Sequence, residues 1–415
     1  MFRSFFLAGF ECATGYNMHG EWIDQVAATE HDLHVEDDYT RLDAVGIHAV
    51  REAVRWPLVD TSTGYDLSTV RPFIEAANRR RFDVVWDLFH FGYPADVDPF
   101  SREFAGRFAN YCHAAASFVR RHFHGRCYFT PMNEPSYFAW AAGEVGRFAP
   151  HATGRGHELK LALAHAAICG IAAIREACPQ ARIVNVDPIC RVVPANGDPD
   201  AIGHARHFND EAVFQFWDML SGRVHPHLGG SPDTLDIVGI NYYWTNQWEL
   251  GREGTPLADD DPRRIPFASL VRAVWRRYRT EIVITETSAL NERRGPWIDE
   301  ISLMTEQLLD EGVPLGGICL YPVLGMPDWH DRGRWTRMGL WDLQREGHVL
   351  RRKICPPMLE ALRAAQQRAA QSVRPRCHDA ALPPSVRRRR GPVPPLDPCC
   401  STCRCQGGPG TGPRG

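Results

Sequence analysis

Two patterns of hydrophobic and polar positions alternate along the chain. Short apolar runs rich in Val, Ile, Leu, Phe and Cys occupy residues 5–11, 46–54, 82–89, 127–133, 182–187, 234–241, 281–286 and 316–321. Most of these runs are nearly continuous rather than alternating, as expected of strands covered on both faces. Between them the apolar spacing is helical, among other places over residues 103–123, 157–178, 205–220, 266–278 and 297–309. The strand–helix unit repeated eight times predicts an α/β fold, a closed (β/α)8 TIM barrel. A doubly wound open sheet is the rival, but no glycine-rich phosphate loop follows the first run.

The opening residues have some look of a leader peptide. Their apolar part is short and runs directly into Glu11, so a first barrel strand is the better reading. No stretch approaches the roughly 20 consecutive apolar residues that a bilayer span needs.

After residue 370 the periodicity stops. Residues 371–415 carry Arg387, Arg388, Arg389 and Arg390 in a row, repeated prolines, a Gly/Pro end and the cluster Cys399, Cys400, Cys403, Cys405. The expectation is a barrel domain over 1–370 and a disordered Arg/Pro/Cys-rich tail over 371–415. The clustered cysteines lack the paired C-x2-C units of a zinc site and no histidine follows them, so no metal is expected.

Composition adds limits. With 44% hydrophobic and 23% charged residues in 415, the chain can bury a sizeable core. A net charge of −3 gives no general attraction to nucleic acid or to an acidic membrane surface. The eight cysteines up to Cys355 mostly sit inside apolar runs and read as small buried hydrophobes in a reducing, cytoplasmic setting. Oligomeric state is not legible.

The chemistry lies at the strand ends, where barrels of this class place their sites. Glu134 closes the fourth run and Glu286 the seventh, so three βα units separate two carboxylates at one face of one barrel. Paired carboxylates across a cleft are the minimum equipment for cleaving a glycosidic bond. Other strand ends carry Arg51, His90, Asn133, Asn241 and Tyr243, and Asp328 and Trp329 follow the eighth. Asp87 and Asp187, also near strand ends, read as structural.

The segments Asn133-Glu134-Pro135, Ile284-Thr285-Glu286 and Gly239-Ile240-Asn241-Tyr242-Tyr243, in register with His90, resemble glycoside hydrolase family 1, the β-glucosidase family of a retaining barrel clan. The resemblance spans nearly the whole barrel, to Met338-Gly339-Leu340-Trp341-Asp342. It implies a cofactor-independent β-glycosidase with Glu134 as general acid/base and Glu286 as nucleophile, the latter supported by Arg51 and Tyr243. It also implies sugar contacts from His90, Asn133 and Asn241, and stacking faces from Trp140, Tyr321 and Trp329.

The glycone side departs from the family pattern. Asn17 stands where a glutamine is expected, Phe91 and Gly92 follow the histidine, and Asp328 replaces a glutamate. Each change shortens or deletes a polar contact, so the sugar is left open. Arg332, Arg334 and Arg337 lack the serine/lysine pattern of phospho-sugar enzymes and read as a solvated loop. Two rival readings keep the barrel: an endo-acting glycanase or transglycosylase, and a carbohydrate-binding protein without turnover.

Overall fold

The computed structural model describes residues 1–252 and 254–373. The barrel strands are β1 (Phe6–Gly9), β2 (Ala49–Ala53), β3 (Asp83–Asp87), β4 (Cys127–Thr130), β5 (Arg182–Pro188), β6 (Ile237–Asn241), β7 (Glu281–Thr287) and β8 (Leu315–Leu320). They close in sequence order, all parallel, with β8 returning to β1 through Phe6↔Ile318, Leu7↔Cys319 and Ala8↔Leu320. A compact unit covers Met1–Gln371. The expected tail lies, from residue 374, outside the described residues.

Two apolar layers explain the continuous runs. Leu7, Ala49, Val85, Tyr128, Val184, Val186, Ile237, Val283 and Cys319 fill the barrel interior. Their strand neighbours Val50, Val84, Phe129, Ile183, Val238 and Ile282 pack outward against the helices. The period of two is therefore present, but both phases are apolar.

The longer helices are α1 (His31–Ala44), α2 (Arg71–Arg80), α3 (Phe104–His122), α4 (Gly156–Ala177), α5 (Pro199–Asp210), α6 (Phe267–Tyr278), α7 (Arg294–Asp310) and α8 (Pro356–Val373). The helix expected over 205–220 is broken. It begins earlier, at Pro199 capped by Asp198, and ends at Glu211, whose backbone (φ −130, ψ −60) leaves the helical region before a short segment Gln215–Leu220. Contrary to the sequence reading, α4 has the length and composition of a membrane span. Here Leu159, Leu163, Ala164, Ile171 and Ile174 are buried in the outer layer of the barrel. The antiparallel hairpin Trp341–Glu346 with Val349–Ile354 was not anticipated; it leads into α8, which buries Met358, Leu362 and Ala365. Cys12, Cys112, Cys127, Cys178, Cys190, Cys319 and Cys355 are free thiols.

One irregularity decides the site. Ile240 pairs with Ile284, but the next residue, Asn241, pairs with Glu286. The bulge changes the phase of β7, so Thr285 and Glu286 both serve the barrel interior while Thr287 turns outward and accepts from the indole of Trp297 in α7 at 2.8 Å. Bulges of this kind re-aim side chains beside functional sites.

Candidate active site

Arg51 rises from the inner face of β2 and is almost fully buried at 1% exposure. Its guanidinium donates to Glu286 Oε1 at 2.6 Å, to Asp87 Oδ2 at 2.6 Å and to Asn133 Oδ1 at 2.7 Å. The second oxygen of Glu286 accepts from the Tyr243 hydroxyl at 2.9 Å. Both oxygens of this carboxylate are thus oriented, one by a cation and one by a phenol, in a charge-assisted geometry.

Glu134 sits in a different setting. It follows β4 in the left-handed region (φ 46), a conformation that costs energy for a non-glycine residue and concentrates at functional sites. Its amide donates to Val186 O, and the next four residues form a short helix, Pro135–Phe138. Asp187 grips that helix from β5, accepting from Ser136 N at 3.0 Å and Ser136 Oγ at 2.5 Å. Glu134 itself is half-buried and meets a neutral donor, Asn241 Nδ2, at 2.9 Å. Burial and then the charge of Glu286 hold its carboxyl well above the usual range, against the pull of Asn241 and Arg51. Burial likewise raises Asp187 to about 7.

His90 completes the floor. Its Nδ1 lies 2.9 Å from Asp87 Oδ2 and its Nε2 3.1 Å from Asn133 Nδ2. With Nδ1–H donating to the aspartate, Nε2 is left to accept from the amide. Cys12, Asp87 and His90 bring three ligand-type atoms within 4.8 Å of one another. The Arg51 guanidinium already holds Asp87, and the Cys12 thiol donates to Phe10 O at 3.0 Å while burial pushes its ionisation up. This cluster is a hydrogen-bond relay rather than a cation cage.

The structure brings Glu134, Glu286, Arg51, Tyr243, Asn133, Asn241 and His90 together. Several of the expected sugar contacts are placed otherwise. Asn241 is fully buried, with Oδ1 accepting from Thr285 Oγ1 at 2.7 Å and Nδ2 used by Glu134 and Asn133, so its polar atoms are engaged within the protein rather than offered to a sugar. Asn17 is also fully buried: its Oδ1 accepts from His19 N and Glu21 N, and its Nδ2 donates to Trp329 O, pinning a hairpin to the loop after β8. Tyr321 is buried beneath the site. Arg51 lies over its ring at 5.1 Å and His90 stacks parallel at 6.0 Å, leaving no face for a sugar. Asp328 Oδ1 caps its own turn through His330 N and Asp331 N.

Trp329 and Trp140 are half-buried and flank Tyr137, with ring separations of 6.4 and 5.8 Å. Phe91 meets Trp329 edge-on at 5.4 Å. Gly92 cannot carry a side chain, because a Cβ there would meet Thr14 O at 1.5 Å.

Sequence reasoning gave no role to Glu11 or Thr285 and read Asp87 as structural. Asp87 is the shared acceptor of Arg51 and His90, which makes it part of the site rather than of the scaffold alone. Glu11 lies two residues beyond β1 and is 5% exposed. A carboxylate at the end of a buried apolar run was its available signal.

The fold as a whole has solved counterparts. The chain superimposes on a β-glucosidase from Thermotoga maritima in complex with deoxynojirimycin at a TM-score of 0.71 and 16% identity, over 88% of this chain and 98% of that one. A structure described as a family 1 β-glucosidase from the same organism gives 0.71 and 17% over the same shares. The AHE enzyme from Alicyclobacillus herbarius gives 0.70 and 17%, over 90% of this chain and 99% of that one. The likeness is one of fold, a closed (β/α)8 barrel over nearly the whole of each chain. No protein-family model matches the sequence, and no curated protein matches it.

Proposed function

We propose that the protein is a retaining β-glycosidase acting without a cofactor. The observation that carries this reading is the contrast between two carboxyl groups in one cleft. Glu286 is tethered by Arg51 and Tyr243, while Glu134 is desolvated beside it and bonded only by a neutral amide. Environments that push two carboxyl groups apart in acidity assign an acid and a nucleophile.

Glu134 would then protonate the leaving glycosidic oxygen as Glu286 attacks the anomeric carbon, forming a glycosyl ester and breaking the carbon–oxygen bond. Water enters next and gives a proton to the Glu134 carboxylate. Its oxygen displaces Glu286 from the sugar, restoring both groups. Asn133 and His90 line the side where the glycone would sit, and the Tyr137, Trp140 and Trp329 surface offers apolar contact to sugar or aglycone.

The test is turnover of aryl β-glycosides, with the anomer released first followed by NMR. A β-anomer product, lost in Glu286→Ala, supports retention with Glu286 as nucleophile. Undiminished activity in Glu286→Ala overturns the assignment, and an α-anomer product overturns retention. Retention also requires the two carboxyl groups to lie about 5–5.5 Å apart in a glycoside complex.

A further inference from the structure

Glu11 adds a fourth carboxyl group to Glu134, Glu286 and Asp87. Its Oε1 accepts from Ala13 N at 3.0 Å and from the Tyr321 hydroxyl at 3.4 Å, and lies 3.5 Å from His90 Nε2. Its Oε2 has no hydrogen-bond partner among the described residues, yet it is not among the side-chain atoms sealed from solvent without one. The side chain is enclosed, at 2% exposure, so that oxygen is an acceptor without a protein partner beside the site.

The surrounding charges limit what can approach. Arg51 is already bonded to Glu286, Asp87 and Asn133. Glu286 and Asp87 thus take up one guanidinium close to Glu11, and the unpartnered Nε of Arg51 is sealed from solvent. A second anion entering here would meet carboxylates, and the one unpartnered nitrogen of that cation is out of its reach. A hydroxyl or ammonium group would find an acceptor.

We propose that Glu11 contacts the glycone and confines it to sugars presenting hydroxyl or amino donors, so that uronic and phosphorylated glycones are rejected. The inference rests on the β-glycosidase reading above. Burial raises the carboxyl of Glu11, with Glu286 adding to the rise and His90, the Ala13 amide and Arg51 opposing it. A sugar donor at Oε2 favours the ionised form, whereas a negative substituent must be repelled or must force Glu11 to hold its proton. If Glu11 served only to hold the turn after β1, a glutamine would do the same, since its carbonyl oxygen can still accept from Ala13 N.

Glu11→Gln therefore separates the two roles. Wild type and variant are compared for kcat/KM on an aryl β-glucoside and an aryl β-glucuronide, and for calorimetric affinity for deoxynojirimycin. The wild type should strongly favour the glucoside. The variant should lose about tenfold to a hundredfold on the glucoside and in affinity, the range of a lost hydrogen bond to a charged group. Its glucoside-to-glucuronide ratio should fall at least as far, with an unchanged melting temperature. An unchanged ratio and affinity overturn the proposal. If neither protein turns over either substrate but affinity still falls in the variant, the Glu11 contact stands and the hydrolase reading fails. A wild type that neither binds nor turns over overturns both.

Discussion

Asn241 donates to Glu134 Oε1 at 2.9 Å, reaching across β5 from the strand that pairs with β7. The amide cannot turn over, because its oxygen is held by Thr285 Oγ1 at 2.7 Å on β7 itself. Its nitrogen must therefore face Glu134 and Asn133. This side chain couples the strand of Glu286 to the loop of Glu134, and under the proposed mechanism its removal should act mainly on the acid.

Asn241→Ala should lower kcat/KM on aryl β-glycosides by about tenfold to a hundredfold, through loss of acid orientation and of a hydrogen bond to a charged group. The bond to Asn241 pulls the Glu134 carboxyl down against burial. Without it, Glu134 keeps its proton to higher pH, so the alkaline limb of the pH–rate profile should move upward. A profile with an unmoved alkaline limb would contradict the positioning role.

Arg51→Ala leaves Glu286 and Asp87 buried without their cation. Breaking a buried pair in this way costs about 3–5 kcal/mol. Urea denaturation should show that loss, with activity close to background. Arg51→Lys keeps the charge but not the fork that reaches three acceptors, so its stability should be intermediate.

Asp187 is raised to about 7 in the folded chain from a usual 3.8, by burial against the bonds from Ser136 and the charge of Lys160. Its protonated form is favoured by folding, so the stability it contributes is complete below pH 4 and is lost as pH rises through 7. The change amounts to roughly 4 kcal/mol. Asp187→Asn can keep the contacts to Ser136 and should remove that slope. Thermal melts of both proteins between pH 4 and 8 measure the difference.

Behind β2, His31 is fully buried between Asp38 at 2.9 Å and Glu52 at 3.1 Å. Burial pulls its ionisation down, but the two carboxylates outweigh it and raise it to about 9. This charge stabilises the fold below pH 6.5 and is lost as pH rises through 9, a contribution of roughly 3 kcal/mol. The wild-type melting temperature should fall across that window, and His31→Gln should lack this part of the fall.

Much of the barrel could be read before any coordinates. All eight strands lie where the apolar runs place them, because a strand covered on both faces leaves a local trace several residues long. The hairpin Trp341–Glu346 with Val349–Ile354 left none, since its residues are largely polar and half-exposed. The helix expected over 205–220 failed because Glu211 breaks the backbone at a point where the apolar spacing continues. The apolar length of α4 was missed, and its function as an outer-layer helix depends on what it packs against.

The sequence by itself determined the strand count, the order of the strands and the polar residues at their ends, because each is a property of a few neighbouring positions. The tertiary structure decided which of those residues meet. A period of two counted from Val283 would turn Glu286 outward with Ile282 and Ile284; the β7 bulge turns it inward opposite Asn241. Barrel closure sets Tyr321 under Arg51 and beside Glu11, 310 positions away in the chain. The same closure ties Asn17 to the backbone of Trp329, 312 positions away. Contacts across such separations depend on register, bulges and loop packing, none of which a local pattern of apolar and polar residues encodes.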